Sequence, residues 1–342
     1  MATRIADGIM SNITPTAIDK NNPPRFIVGM SRGGTTWMSR VLNTHPDVAS
    51  FGETLFWGRR YRPTDTQGCW SRDDLDTLAD ELADSLMGPS GDKPGSLTTE
   101  PAVLNKSVAQ TIRSFEAPAK PADVFEAMCR AVLDAEGKAI AIEKTPHHLN
   151  WTTRIEDAMP GARFLIMRRD PYGFMLSYKH QGDRLSNNTR RTFHALYHPI
   201  GCALVWRGYV RSIRAACERY PGQTMVVDLH QEPDERELLA RVVEFFGLAP
   251  ADLAGNVPRD NTSFPDAKRP ELSGADRFWL NRIARQEIAQ SGVEKQPVGL
   301  RDSFAVLGSV LYTPFWAFRV WFHMRRNTQG STFAYLWRWV WR

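Results

Sequence analysis

The chain has 342 residues, 42% of them hydrophobic and 24% charged, which is enough apolar material for one sizeable α/β core. Its net charge of +5 sits in the tail: Arg319, Arg325, Arg326, Arg338 and Arg342 follow Asp302 with no acid among them, and the other 38 basic residues face 38 acidic ones. A body balanced in this way is not a nucleic-acid surface, and four scattered cysteines exclude a disulfide framework and a cysteine-based metal centre.

Residues 1–24 contain no apolar core and read as a loose N-terminal arm, not as a signal peptide or membrane anchor. The main domain is expected over 25–302 and a separate amphipathic segment over 303–342. "RFIVGM" (25–30) predicts a buried strand, and "TTWMSRVLNTHP" (35–46) a helix that stops at Pro46. "SRDDLDTLADELADSLM" (71–87) carries Leu75, Leu78, Leu82 and Leu86 on one helical face. Helices are also expected over 121–137, 206–220 and 232–248, and strands over 139–144, 163–168 and 224–229. The segments 59–70 and 88–96 read as exposed insertions. Alternating strands and helices predict a P-loop-like, doubly wound parallel sheet flanked by helices. Ligands in such sheets bind beyond the carboxyl ends of the strands. That directs attention to Ser31–Thr36, Lys144–His148, Arg168–Pro171 and Asp228–His230.

The first of these ends, "GMSRGGTTW" (29–37), joins a strand to a helix through glycines, so backbone N–H groups at the helix start would face an anion. Gly29, Gly34 and Thr36 nearly fit the G-x-x-x-x-G-K-[ST] phosphate loop, but Thr35 stands where that pattern requires lysine. A loop without that lysine is equipped to hold a phosphate and poorly equipped to move a γ-phosphoryl group. The second end, "EKTPHH" (143–148), places Lys144 before a proline turn. The third, "RRDPYGFMLSY" (168–178), places Arg169 after a strand and Ser177 about two helical turns later, a pair suited to a second phosphate.

"SRGGTTW" followed by "RRDPYGFMLSY" resembles the paired cofactor motifs of the sulfotransferases that use 3′-phosphoadenosine 5′-phosphosulfate (PAPS). The likeness extends in patches from about residue 25 to 250, including "EKTP" and "TMVVDLHQEPDERELLARVVEFFGL", and is closest to the carbohydrate and bacterial branches. It implies the sulfotransferase fold, PAPS as co-substrate, adenosine 3′,5′-bisphosphate (PAP) as product, and no metal. It further implies that Arg32 takes the place of the family's loop lysine. Gly33, Gly34, Thr35 and Thr36 would cradle the 5′-phosphosulfate, Trp37 would pack on the adenine, and Arg169 and Ser177 would hold the 3′-phosphate. Lys144 corresponds to a catalytic lysine of the heparan-type branch, and Glu53 falls one residue from that branch's glutamate base. His148 is the alternative base, because the cytosolic branch uses histidine. The adjacent His147 and His148 cannot both face one site, and His180, His194 and His198 show no ligand spacing.

The tail concentrates five of the eleven tryptophans and all the excess charge. Its apolar run from Phe304 to Phe318 contains Pro314 and is shorter than the roughly 20 residues a membrane-spanning helix needs. An Arg/Trp-rich segment of this kind either lies on an anionic membrane surface or packs on the body or on a second copy in a homo-oligomer. The expectation is therefore a PAPS-dependent sulfotransferase acting on a hydroxyl of a saccharide, glycolipid or other lipid-linked acceptor, peripheral on the cytoplasmic face of a membrane. A P-loop small-molecule kinase and a membrane-bound scaffold with a degenerate nucleotide site are the alternatives.

Overall fold

Five short strands, each apolar enough to be buried, form the centre of the molecule. The computed structural model describes residues 23–63, 68–83, 94–183, 186–258 and 270–327. In chain order the elements are β1 (Arg25–Gly29), α1 (Thr35–Leu42), β2 (Val48–Phe51), α2 (Arg72–Ala83), α3 (Pro101–Arg113), α4 (Pro121–Glu136) and β3 (Ile140–Lys144). There follow α5 (Thr152–Ala158), β4 (Arg163–Arg168), α6 (Pro171–Lys179), α7 (Asn187–Leu196), α8 (Pro199–Arg219), β5 (Thr224–Asp228) and α9 (Glu235–Phe246). The chain closes with α10 (Gly274–Ile283), α11 (Arg285–Ser291) and α12 (Ser303–Asn327).

The sheet is parallel throughout, in the order β2-β3-β1-β4-β5. Side chains alternate between its faces, as the two-residue period of a strand requires. Phe26, Val28, Phe164 and Ile166 meet Phe125 of α4 and Trp206 and Tyr209 of α8 on one side. Ile27, Leu165, Met167 and Val227 meet Met38 and Val41 of α1 and Leu239 and Val243 of α9 on the other. Each such buried side chain contributes about 2 kcal/mol of burial. The chain runs from β1 outward to one edge, returns, and then crosses to the opposite side through β4. The crevice at this reversal opens at the carboxyl ends of β1, β3 and β4.

Four of the five strands fall where the apolar runs predict them; β2 is the addition. "VASF" is too short to stand out alone, and it becomes a strand by pairing with β3 from Val48↔Ile140 to Phe51↔Glu143. The two expected insertions are tied down where they are described. Trp70 is buried, stacks on Phe56 and exchanges backbone hydrogen bonds with Ala119. Pro94 and Gly95 accept hydrogen bonds from Arg40 and Asn43. The N-terminal arm to residue 22, residues 64–67 and 84–93, and the chain beyond 327 lie outside the described residues.

The helices after β4 are joined through one buried carboxylate. Asp276, at the start of α10, accepts from Lys179 Nζ (2.6 Å), from the Tyr197 hydroxyl (2.5 Å) and from the amide and hydroxyl of Ser273. It thereby connects the end of α6, the α7–α8 link and α10. Burial by itself would raise its pKa, but the Lys179 charge and the hydrogen bonds from Lys179, Tyr197 and Ser273 hold it below the usual carboxylate range. Asp276→Ala leaves the half-buried Lys179 and the Tyr197 hydroxyl without their acceptor and should cost about 1.5–3 kcal/mol of unfolding free energy in urea denaturation at neutral pH. A carboxyl that titrates lower when folded stabilises above its unfolded pKa, near about 4, and loses that contribution as pH falls through the folded value. The wild-type urea midpoint should drop in that acid window, and Asp276→Asn should flatten the drop.

Candidate active site

At the carboxyl end of β1 the backbone changes direction through Met30–Gly34. Gly33 N–H closes a turn on the Met30 carbonyl (2.9 Å), and Arg32 and Gly34 take positive φ values of 67° and 94°. Gly34 is the N-cap of α1, so no side chain caps this helix, and no acid stands in its first turn. The amide end of α1 thus faces the crevice without an internal carboxylate, an arrangement complementary to an anion. Thr35 is buried at the helix start and Thr36 is exposed beside it. Trp37 donates its indole N–H to the Val257 carbonyl (3.0 Å), which fixes the ring against the segment after α9.

The second motif meets this loop at Arg32. Arg169 leaves β4 buried, its carbonyl held by Trp206 Nε1 (3.1 Å), and donates from Nη1 to the Arg32 carbonyl (2.9 Å). Ser177 is fully buried on α6, and its Oγ accepts from Arg32 Nε at 3.3 Å. Asp170 starts α6 by accepting the Gly173 amide (2.7 Å). Residues separated by 145 positions therefore form one cationic cluster with an attached hydroxyl. Burial lowers the Arg32 pKa from its ordinary value, yet arginine remains a fixed cation in a protein. Ser31 Oγ lies 3.1 Å from the Tyr209 hydroxyl, which anchors the loop to α8.

The third group lies at the end of β3, whose Lys144 is in register with Ile27 of β1. Lys144, nearly buried, donates to Glu53 Oε1 at 2.8 Å, while the Glu53 side chain is 50% exposed. The segment carrying Glu53 crosses β3 closely at Gly52, where any Cβ would overlap the Lys144 carbonyl. Next to this pair, Glu143 is buried and accepts from Thr54 Oγ1 (2.8 Å), Thr145 Oγ1 (2.5 Å) and His148 Nδ1 (2.9 Å). Burial would raise the Glu143 pKa; its contact with His148 and the hydrogen bonds from Thr145 and Thr54 hold it below the usual carboxylate range.

This network corrects the reading of His148 as a base. The ring is fully buried, with Nδ1 turned to Glu143 and Nε2 accepting the Trp57 amide at 3.2 Å. Neither nitrogen faces the crevice, so His148 serves to hold the 53–57 segment on β3. His147, half-buried, has its pKa lowered by burial. Glu53 is the base candidate that reaches solvent. Sequence reasoning passed over Glu143, Thr54 and Tyr209. The available signal was the acid inside "AIAIEK", since a carboxylate on a buried strand requires partners. Nothing in the pattern of α8 separates Tyr209 from its core neighbours.

An uncapped helix terminus, two arginines, a lysine–glutamate pair and buried hydroxyls at parallel strand ends make the crevice of this α/β protein complementary to anionic groups. The chain belongs to the sulfotransferase family, whose sequence model matches residues 23–252, and it is a sulfotransferase. Solved structures similar to it include the sulfotransferase domain of the Synechococcus PCC 7002 olefin synthase. That domain is 18% identical, with 85% of this chain and 95% of that one covered and a TM-score of 0.47. The sulfotransferase STF9 of Mycobacterium avium is also similar, at 17% identity, coverage of 80% and 78%, and a TM-score of 0.44. No curated protein matches the chain.

His148→Ala removes the partner of a buried carboxylate and should lower unfolding free energy by about 3–5 kcal/mol in urea titration. A His148→Ala variant of unchanged stability that lost turnover would instead restore the histidine to the chemistry.

Proposed function

We propose that the protein transfers the sulfuryl group of PAPS to a hydroxyl of a saccharide, glycolipid or other lipid-linked acceptor at a membrane surface. The observation that carries the donor assignment is the convergence of the α1 terminus, Arg169 and Ser177 on Arg32. A donor with a 5′-phosphosulfate and a separate 3′-phosphate matches that set: amides and hydroxyls of Gly33–Thr36 for the first, Arg169 and Ser177 for the second. The donor supplies an activated sulfuryl group, and the chain's side chains supply position and charge.

Glu53 would take the proton of the acceptor hydroxyl as the new S–O bond forms. The old S–O bond breaks, and its electron pair leaves with PAP. Lys144 orients the Glu53 carboxylate and adds positive charge at the strand ends, and Arg32 adds a charge that does not titrate. Trp37, half-buried with its N–H committed to Val257, would offer its ring to the adenine. The kinase alternative is disfavoured by Thr35 in the lysine position and by the Arg169/Ser177 pair; a scaffold with a degenerate site is disfavoured by the assembled Glu53–Lys144 pair. A lipid-linked acceptor is favoured by the exposed apolar surface of α12, and the same proposal has the protein act peripherally, on the cytoplasmic face of the membrane.

PAP should raise the melting temperature well above the shift given by ATP, and Arg169→Ala should remove most of the PAP shift. Equal stabilisation by ATP would overturn the donor assignment. Glu53→Gln should keep the PAP shift while lowering turnover roughly 10²–10⁴-fold, measured with labelled PAPS and a saccharide and lipid extract in excess EDTA. Full turnover in that variant would remove Glu53 as the base.

A further inference from the structure

α12 is apolar on two opposite faces, and only one of them is used by the fold. Val306, Ser309, Thr313, Trp316 and Val320 recur every three or four residues and are half-buried against the body. Trp316 Nε1 donates to the Leu196 carbonyl (2.9 Å), and its ring packs 4.7 Å from His198. Ser309 accepts from Trp279 Nε1 at 2.8 Å. Half a turn away, Phe304, Leu307, Leu311, Phe315 and Phe318 recur at the same spacing and point outward, Phe304 being 85% and Leu311 73% exposed.

This concentration is specific to the helix. Among the described residues, every exposed large hydrophobic side chain except Val103 is either Leu300 or lies on α12. Contiguous apolar surface of this kind marks an interaction site. The charge on the segment selects the partner. From Ser303 to the end the chain has five arginines and no acid, and three of them, Arg319, Arg325 and Arg326, belong to α12 itself. A partner with a negative surface and an apolar layer directly beneath it matches both properties.

We infer that the outward face of α12 is a docking surface for an anionic lipid bilayer. The helix lies in the interfacial plane, with Phe304, Leu307, Leu311, Phe315 and Phe318 at the acyl boundary and the exposed Arg319 at the headgroups. Its 25 residues extend about 37 Å, enough to span a bilayer in length alone. Yet its inner face is fastened to α7, α8 and α10, and among the described residues no helix is long and apolar enough to cross a membrane. A helix held along its side by the protein presents its other side to a surface. The inference deepens the membrane part of the proposed function but stands on α12 alone.

The test is sedimentation of the full chain with vesicles of phosphatidylglycerol in phosphatidylcholine, without PAPS or acceptor, so that failure here leaves the sulfuryl-transfer reading intact. The chain should partition onto anionic vesicles at least about tenfold more than onto pure phosphatidylcholine, and brominated lipid should quench its tryptophan emission. Leu307→Gln, Leu311→Gln, Phe315→Gln and Phe318→Gln combined should lower that partition at least about tenfold, because their side chains leave the lipid. The Trp316 and Ser309 contacts with the body are kept, and the ring contacts given up, Phe315 on Tyr312 and Phe318 on Trp321, lie within α12 itself. Light scattering should show the same mass for both proteins. Wild-type chain that stays in the supernatant, or a quadruple variant that still sediments, overturns the inference. A wild-type dimer that the quadruple variant converts to monomer also overturns it and gives the face to a second copy.

Discussion

The hydrogen bond from Arg169 to the carbonyl of Arg32 holds together two cations that repel. They are kept adjacent by elements that are rigid for other reasons: β4 and Trp206 fix Arg169, and the turn on Met30 together with the α1 N-cap fixes the loop. The repulsion is met in advance by sheet and helix packing, so an anion entering the crevice finds the donors already placed. Ser177 completes the set because α6 starts at Asp170, immediately after Arg169, and two helical turns return its hydroxyl to Arg32 Nε.

Two buried carboxylates build the walls around this cluster. Glu143 draws Thr54, Thr145 and His148 onto β3 and so fixes the segment that presents Glu53 next to Lys144. Asp276 draws Lys179, Tyr197 and Ser273 together and so fixes the far end of α6. Both are costly to bury, and both are offset by a cationic or histidine partner and by hydroxyl donors. Neither carboxylate touches the crevice. Their contribution is the placement of the groups that do.

This division of labour sets what the sequence could reveal. Strand ends, the glycine loop and the Arg169/Ser177 pair are local patterns, and the structure places them at one crevice. Arg32 was legible as a loop residue; that Ser177 Oγ accepts from it was not, because 145 residues intervene. His148 was weighed as a base because the cytosolic branch uses histidine, and a resemblance of that kind says nothing of the ring's burial. Its true environment depends on Trp57, which reaches it from 91 positions away, and on Glu143, itself held by Thr54. β2 was missed because four residues carry no period, and it exists only by pairing with β3. In the tail, the sequence offered membrane docking and packing on the body as alternatives. α12 packs on the body through one face and leaves a second apolar face open, an outcome that a single hydrophobic run does not distinguish from either alternative.

The inner face of α12 has a structural consequence for the crevice. Trp316 donates to Leu196, the last residue of α7, and packs at a tilt on His198, the N-cap of α8; the residue between them, Tyr197, donates to Asp276. Asp276 also holds Lys179, the last residue of α6, the helix that carries Ser177. A continuous series of packed and hydrogen-bonded groups therefore runs from the tail helix to α6, which carries the Ser177 hydroxyl. This series fixes the orientation of the outward face of α12 relative to the crevice, so a surface bound by α12 meets the active site at a set angle. It also makes α12 part of the folded body. Removing the chain after Asp302 would strip Trp316 from His198 and Ser309 from Trp279, exposing an apolar seam while deleting the outward stripe. Substitutions confined to the outward stripe separate the two roles because the helix carries them on opposite faces.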